Sequence, residues 1–104
     1  MSEDGWHDVA AIDELPEDDV IQVTAGNAVL ALYRVGDEFY ATDDCCTHQE
    51  ASLSDGYLQD DTIECPRHQG VFHIPTGRAM QAPVVEDLGV YPVRVEGDRL
   101  FVRL

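Results

Sequence analysis

The chain has 104 residues and a mass of 11.5 kDa, enough for one small hydrophobic core but not for a carrier domain fused to an enzyme domain. Its 21 acidic residues against 6 basic ones give a formal charge of -15, which repels phosphate backbones and anionic membrane surfaces. We therefore expect one domain spanning residues 1–104, with no nucleic-acid partner and no membrane partner.

The basic residues are all arginines, and lysine is absent. Two explanations of the acidic surface remain open: a docking face for a basic redox partner, or adaptation of the whole surface to a salt-rich cytosol. Residues 1–5 lack the basic and apolar stretches of a signal peptide. The longest apolar run, residues 28–33, is far shorter than the roughly 20 residues of a membrane span. We expect a monomeric protein of the cytoplasm.

Short β-branched and apolar runs between turn residues predict an all-β fold. An N-terminal strand carries His7 on its surface, and a helical turn at residues 12–15 ends at Pro16. The strands that follow are predicted at residues 20–23, 28–33 and 39–41, and a last hairpin pairs 91–95 with 99–104.

Residues 43–83 are expected to form an insertion of loops and short strands organised around a metal, because this segment carries every cysteine of the chain. A strand at residues 62–64 leads to Cys65, and a strand at 71–74 leaves His68. A turn at residues 75–77 is expected to close that pair. Two loop tips can then approach one centre from opposite sides.

The candidate ligands form two doublets, Cys46-Thr47-His48 and Cys65-Pro66-Arg67-His68, with sixteen residues between them. Two thiolates and two imidazoles could hold a mononuclear zinc ion or a [2Fe-2S] cluster, and ligand chemistry alone leaves both possibilities open. In a cluster, two ferric ions, two sulfides and two thiolates sum to zero charge. Adding an electron to this neutral assembly costs less than adding one to a cluster with four thiolates.

The doublets and their flanks resemble the Rieske family, and closely the small ferredoxin components of ring-hydroxylating dioxygenases. The resemblance covers most of the chain and includes Gly56, Gly70, Gly77, Pro83 and the terminal stretch 91–98. It implies a Rieske-type antiparallel β-sandwich base with a small cluster-binding subdomain, placed at approximately residues 43–83. It also implies one [2Fe-2S] cluster, with Cys46 and Cys65 on one iron and His48 and His68 on the other.

Four positions differ from the Rieske proteins of respiratory and photosynthetic complexes. Ala51 and Arg67 stand where those proteins carry a disulfide beside the cluster, Gly70 replaces a serine, and Phe72 replaces a tyrosine that bonds a ligand sulfur. Fewer hydrogen bonds to sulfur stabilise the reduced state less, so we predict a reduction potential toward the low end of the Rieske range. Similarity to the family also implies that the loop reaching Pro83 shields the cluster from water.

The resemblance implies a soluble one-electron carrier and not an enzyme. It would pass electrons from a flavin-dependent reductase to a terminal non-heme iron oxygenase. Two alternatives stay open: the small Rieske-fold subunit of a nitrite reductase, and a non-redox zinc-binding interaction module.

Several residues beside the doublets are expected to have structural roles only. Cys45 is taken as a partly buried bystander thiol, although it could serve as an alternative ligand. The acid pairs 43–44 and 60–61 are expected to lie in solvated turns, and His73 to lie on a strand near the cluster loops.

Overall fold

The computed structural model describes residues 5–45, 51–66, 70–81 and 86–104. These residues form eleven β-strands and two 3-10 turns, Ile12–Glu14 and Leu53–Asp55, so the predicted all-β fold is confirmed. Neither helical turn in these ranges has the length or hydropathy needed to cross a bilayer. The strands are β1 Trp6–Ala11, β2 Asp19–Ala25, β3 Ala28–Val35, β4 Glu38–Asp43, β5 Tyr57–Gln59, β6 Thr62–Glu64, β7 Val71–His73, β8 Arg78–Gln81, β9 Val90–Tyr91, β10 Val93–Glu96 and β11 Arg99–Arg103.

The described strands make three antiparallel sheets. The first sheet has the order β1-β11-β10, the second β2-β3-β4-β9 and the third β5-β6-β7-β8. In the first sheet the N-terminal strand pairs with the C-terminal one, from Trp6 opposite Arg103 to Ala11 opposite Arg99. The third sheet lies between β4 and β9 in the sequence and carries Cys65 directly after β6.

Strand β3 is the centre of the molecule because both of its faces are buried. Successive side chains of a strand point to opposite faces, so its residues alternate between two cores. Leu30 and Leu32 pack with Leu100 and Val102 of β11, which joins the first and second sheets as a sandwich. Ala31 and Tyr33 instead pack with residues of the third sheet and its flanks: Leu53, Ile63, Cys65, Phe72, Ile74 and Leu88. Within the apolar run at residues 28–33, the consecutive buried residues 30–33 reflect this burial on two sides.

One predicted strand is wrong in its extent. The sequence suggests a single arm over residues 91–95, but the chain changes sheets at Pro92. Strand β9 pairs with β4 in the second sheet, whereas β10 pairs with β11 in the first. Proline has no N–H to donate to a ladder, and the carbonyl oxygen of Pro92 accepts a hydrogen bond of 3.1 Å from the N–H of Arg103. The proline therefore marks the crossing point.

The third sheet also contains two edge strands, β5 and β8, that the sequence pattern does not predict. Each is three or four residues long and mostly exposed, with Tyr57 on β5 and Met80 on β8 turned to the surface. Residues 75–77 form a turn as expected, but the turn joins β7 to β8 and not β6 to β7. Strands β6 and β7 pair with each other, and the loop that follows Cys65 connects them.

Candidate functional site

The first predicted ligand loop leaves β4 and returns at the turn Leu53–Asp55. Cys45 and Ser52 form an isolated antiparallel bridge across the base of this loop. The main-chain N–H of Leu53 also donates a hydrogen bond of 2.7 Å to the carbonyl oxygen of Asp44. The predicted ligands Cys46 and His48 lie between these anchors and outside the described residues. The loop is thus closed at its base by backbone contacts.

The second predicted ligand loop is the connection between β6 and β7. The N–H of Cys65 donates a hydrogen bond of 2.7 Å to the carbonyl oxygen of Gly70, which continues the ladder of the two strands. Cys65 is 1% exposed and belongs to the core that includes Tyr33. His68 and Arg67 lie within the loop, outside the described residues. Strand pairing therefore delivers one predicted ligand into the core and closes the segment that holds another.

The bases of the two loops meet in one place. Leu53, at the end of the first loop, and Cys65, at the start of the second, belong to the same buried core, and Ala51 packs against it. A cavity of about 690 Å³ is bordered by Cys45 and Ala51 of the first loop and by Pro66 of the second. The described parts of both loops therefore face one common space.

Gly56 makes the close approach of the two loops possible. A Cβ atom at this position would collide with the carbonyl oxygen of Glu64 and lie 3.0 Å from the carbonyl oxygen of Leu53. Both obstacles are backbone atoms, which cannot rotate away as a side chain can. A residue with a side chain would push the first loop from the strand that leads to Cys65. This close backbone contact is why a glycine stands here.

A third loop, which contains Pro83, is closed in the same way. Gly77 has a φ of 73° and its carbonyl oxygen accepts a hydrogen bond of 2.7 Å from the N–H of Leu88. The N–H of Ala79 donates a bond of 2.8 Å to the carboxylate of Asp87. Pro83 itself lies outside the described residues, so its shielding role stays a prediction.

Asp44 corrects the expectation that the first acid pair lies in a solvated turn, because it is only 2% exposed. Its Oδ1 accepts a hydrogen bond of 2.9 Å from the N–H of Ser54, and its Oδ2 one of 2.8 Å from Nε2 of Gln22. The carboxylate thereby ties the first ligand loop to β2. Two adjacent acidic residues usually indicate exposure, so the sequence carries no direct signal for this burial.

Asp43 is also structural and joins β4 to β9. The hydroxyl of Tyr91 donates a hydrogen bond of 2.6 Å to Oδ1, and the N–H of Gly89 one of 3.1 Å to Oδ2. The bond to Asp43 is the main cause that raises the pKa of Tyr91 to about 12, with burial and the carboxylate charge acting in the same direction. Behind it, the hydroxyl of Thr42 donates to the carbonyl oxygen of Asp43 and pairs with the hydroxyl of Tyr33.

The remaining singled-out residues lie at the edge of the site. Cys45 is exposed, in contrast to the partly buried position expected for it. His73 ends β7 as predicted, with Nε2 3.0 Å from a carboxylate oxygen of Asp61 and Nδ1 2.8 Å from the hydroxyl of Thr76. These contacts link two turns of the third sheet. His7 lies half-buried on β1, opposite Val102 of β11, as expected for a strand residue.

Comparison with known proteins agrees with this arrangement. The Rieske [2Fe-2S] domain family matches residues 5–92. The ferredoxin component of a naphthalene 1,2-dioxygenase system from Pseudomonas aeruginosa is 50% identical over 99 residues, which is 95% of each chain. The match therefore includes both predicted ligand loops and the sheets that support them.

Solved structures show the same fold. A chain in the complex of reduced oxygenase and oxidized ferredoxin in carbazole 1,9a-dioxygenase superimposes with a TM-score of 0.90 at 43% identity, covering 97% of this chain and 94% of that one. The ferredoxin of carbazole 1,9a-dioxygenase from Nocardioides aromaticivorans IC177 gives a TM-score of 0.88 at 32% identity, covering 92% and 94%. Sequence and structure thus point to the same group of proteins.

Proposed function

Because the chain belongs to the Rieske [2Fe-2S] domain family, we propose that it is a soluble cytoplasmic carrier of single electrons, which receives them from a flavin-dependent reductase and delivers them to a terminal non-heme iron oxygenase. The observation that carries this proposal is the 50% identity, over 95% of both chains, to the ferredoxin component of a dioxygenase system. The alignment spans almost the full length of that ferredoxin component. The role of this chain is electron transfer, without a substrate reaction of its own.

The cofactor of this family is a Rieske-type [2Fe-2S] cluster, and the described residues fit it. Cys65 offers a thiol in the core, and the two ligand loops are closed at neighbouring bases. We assign Cys46 and Cys65 to one iron and His48 and His68 to the other, following the family pattern. When bound, such a cluster takes up and releases one electron at a time.

In this function the fold holds the ligands in place and keeps water away from the buried sulfur. Strand β6 places Cys65 in an apolar core, which keeps water from the thiolate and holds it rigidly. We infer that electrons enter and leave through the predicted histidine ligands, because imidazole edges reach solvent more easily than buried sulfur.

The domain organisation is proposed on the same basis. Residues 1–104 form a single Rieske domain, in which a cluster-binding subdomain of approximately residues 43–83 is inserted in the β-sandwich base. The third sheet supports this division, because β5 to β8 pair only with one another among the described strands. The shared core between β3 and the third sheet explains why the subdomain would not separate from its base.

The proposal is tested by purifying the protein after anaerobic expression with iron supplied. We expect a coloured protein that takes up one electron in a redox titration and passes it to a terminal oxygenase when a flavin-dependent reductase is present. Cys46→Ser should lose the cluster, whereas Cys45→Ser, its matched neighbour, should keep it. A colourless protein that holds one zinc ion would contradict the proposal and favour the interaction module.

A further inference from the structure

A buried carboxylate lies at the entrance of the first ligand loop. Asp44 is 2% exposed, and the described residues supply N–H donors to both of its oxygens, from Ser54 and from Gln22. Donors of this kind match an ionised carboxylate, which can only accept hydrogen bonds. The main chain of Asp44 is held as well. Its carbonyl oxygen accepts a hydrogen bond from the N–H of Leu53, and its N–H donates one to the carbonyl oxygen of Val29. The charge is therefore fixed in position.

Asp44 lines the cavity that is bordered by Cys45 of the first ligand loop and by Pro66, the residue after Cys65. In agreement with this position, burial is the main cause that raises the pKa of Tyr33, its hydrogen bond with Thr42 lowers it, and the charge of Asp44 raises it. Tyr33 and Cys65 belong to the same buried core. A charge that acts inside this core is only weakly screened by salt, because the medium between the groups is protein and not water.

We propose that Asp44 is a positioning residue that fixes the first ligand loop and, through its buried charge, lowers the affinity of the cluster for an electron. The inference rests on the proposed function, since it concerns the Rieske cluster. An added electron places negative charge near an anion that the fold holds in a low-dielectric environment, which disfavours the reduced form. The wild-type potential is then set in part by a residue that does not ligate the metal.

Asp55 provides a matched control in the same part of the molecule. Its side chain lines the same cavity as Asp44, but it is exposed. Replacing either residue by asparagine removes one negative charge from this cavity with little change in shape. At Asp44 the new amide nitrogen must also face one of the two donors, so the salt dependence of each shift is compared as well as its size, because only a buried charge escapes screening.

The test measures the reduction potential of the cluster-loaded protein by redox titration. We expect Asp44→Asn to increase the ratio of reduced to oxidised protein at a fixed potential roughly tenfold, which corresponds to about 59 mV for a one-electron couple. Asp55→Asn should change this ratio much less. The shift caused by Asp44→Asn should persist at high salt, whereas any shift caused by Asp55→Asn should shrink.

Gln22→Ala supplies an independent arm in case Asp44→Asn loses its cluster. Gln22 is exposed, and its removal leaves the carboxylate with one hydrogen-bond donor fewer, so the ratio of reduced to oxidised protein should fall. A merely structural role would move both variants in the same direction. A wild-type potential in Asp44→Asn, or a ratio that rises or stays unchanged in Gln22→Ala, overturns this inference alone. A wild-type protein that binds no Rieske cluster overturns the proposed function as well.

Discussion

The carbonyl oxygen of Gly77 accepts a hydrogen bond of 2.7 Å from the N–H of Leu88, and this bond closes the base of the loop that contains Pro83. Gly77 has a φ of 73°, and a Cβ atom there would collide with the carbonyl oxygen of Leu88 and lie 2.8 Å from a methyl carbon of Val90. Both the backbone conformation and the contact therefore require glycine at this position. The turn after β7 and the segment before β9 are locked together.

Gly77→Ala is expected to release this contact and to displace the third loop. If that loop shields the cluster, the variant should lose its cluster several-fold faster, as measured by the decay of visible absorbance in air. Gly97→Ala is the matched control. Gly97 has a similar φ of 61°, but a Cβ there would meet no described atom within 4 Å. Equal rates of cluster loss in the two variants would show that only the backbone strain matters and would remove the case for shielding.

Tyr91→Phe should destabilise the protein in a pH-dependent manner. The folded state raises the pKa of Tyr91 from 10.0 to about 12, so the stabilising effect of its bond to Asp43 is fully present below pH 10.0 and is lost as the pH rises through about 12. We expect the variant to lose roughly 1 kcal/mol of unfolding free energy at neutral pH, because the hydroxyl is partly exposed.

Urea unfolding of the wild type and the variant from neutral pH to pH above 12 measures this difference. The two stabilities should converge as Tyr91 ionises. Tyr57→Phe serves as the control, since Tyr57 is 63% exposed on the edge strand β5, and it should change little at any pH. A difference between wild type and Tyr91→Phe that is the same above pH 12 as at neutral pH would contradict the assignment.

The wild-type reduction potential should lie below zero, toward the low end of a range of roughly -150 to +300 mV. Phe72 is fully buried in the core that contains Cys65 and has no hydroxyl. The resemblance to the family implies that high-potential Rieske proteins have a tyrosine that bonds sulfur at this position. Phe72→Tyr is expected to raise the potential, and Phe101→Tyr in the first sheet should leave it unchanged. Redox titration decides, and a wild-type value clearly above zero would refute the prediction.

Salt should stabilise the folded protein. Six arginines cannot neutralise 21 carboxylates, so the folded chain repels itself, and salt screens this repulsion. The midpoint of urea unfolding is expected to rise with sodium chloride concentration; a falling midpoint would contradict self-repulsion. The rate of electron transfer to an oxygenase, measured at the same sodium chloride concentrations, tests whether the acidic surface also serves docking. A rate that falls with salt indicates that the charge steers a basic partner.

The strands that the sequence predicts well are those with burial on a regular period. Residues 30–33 are apolar and buried without interruption because β3 has a core on each face there, and the alternating residues of β11 reflect a single buried face. The break at Pro92 is harder to predict, since a proline is also tolerated at a strand edge. Only the pairing partners of β9 and β10 show that the two belong to different sheets.

The sequence predicts the chemistry of the site but not the residues that hold its loops in place. The cysteine–histidine doublets predict the ligands because few other arrangements place such residues at this spacing. Asp44 shows the limit: its burial depends on Gln22 and Ser54, which are distant in sequence or unremarkable in type. Gly56 is similar, because its role depends on a carbonyl oxygen of Glu64, on a strand that the chain reaches only after a further turn.

The pairing of β1 with β11 has a consequence for how the protein is made. Trp6 lies opposite Arg103, so β1 pairs with the described strand that is farthest from it in the sequence. Until β11 has been synthesised, the apolar residues of β1, including Ala10, have no final partner, and the first sheet cannot be completed. Cluster insertion could begin earlier, since both ligand loops and the third sheet are complete well before β11. Nascent chains stalled before β11 would therefore be able to acquire metal while their first strand is still unpaired.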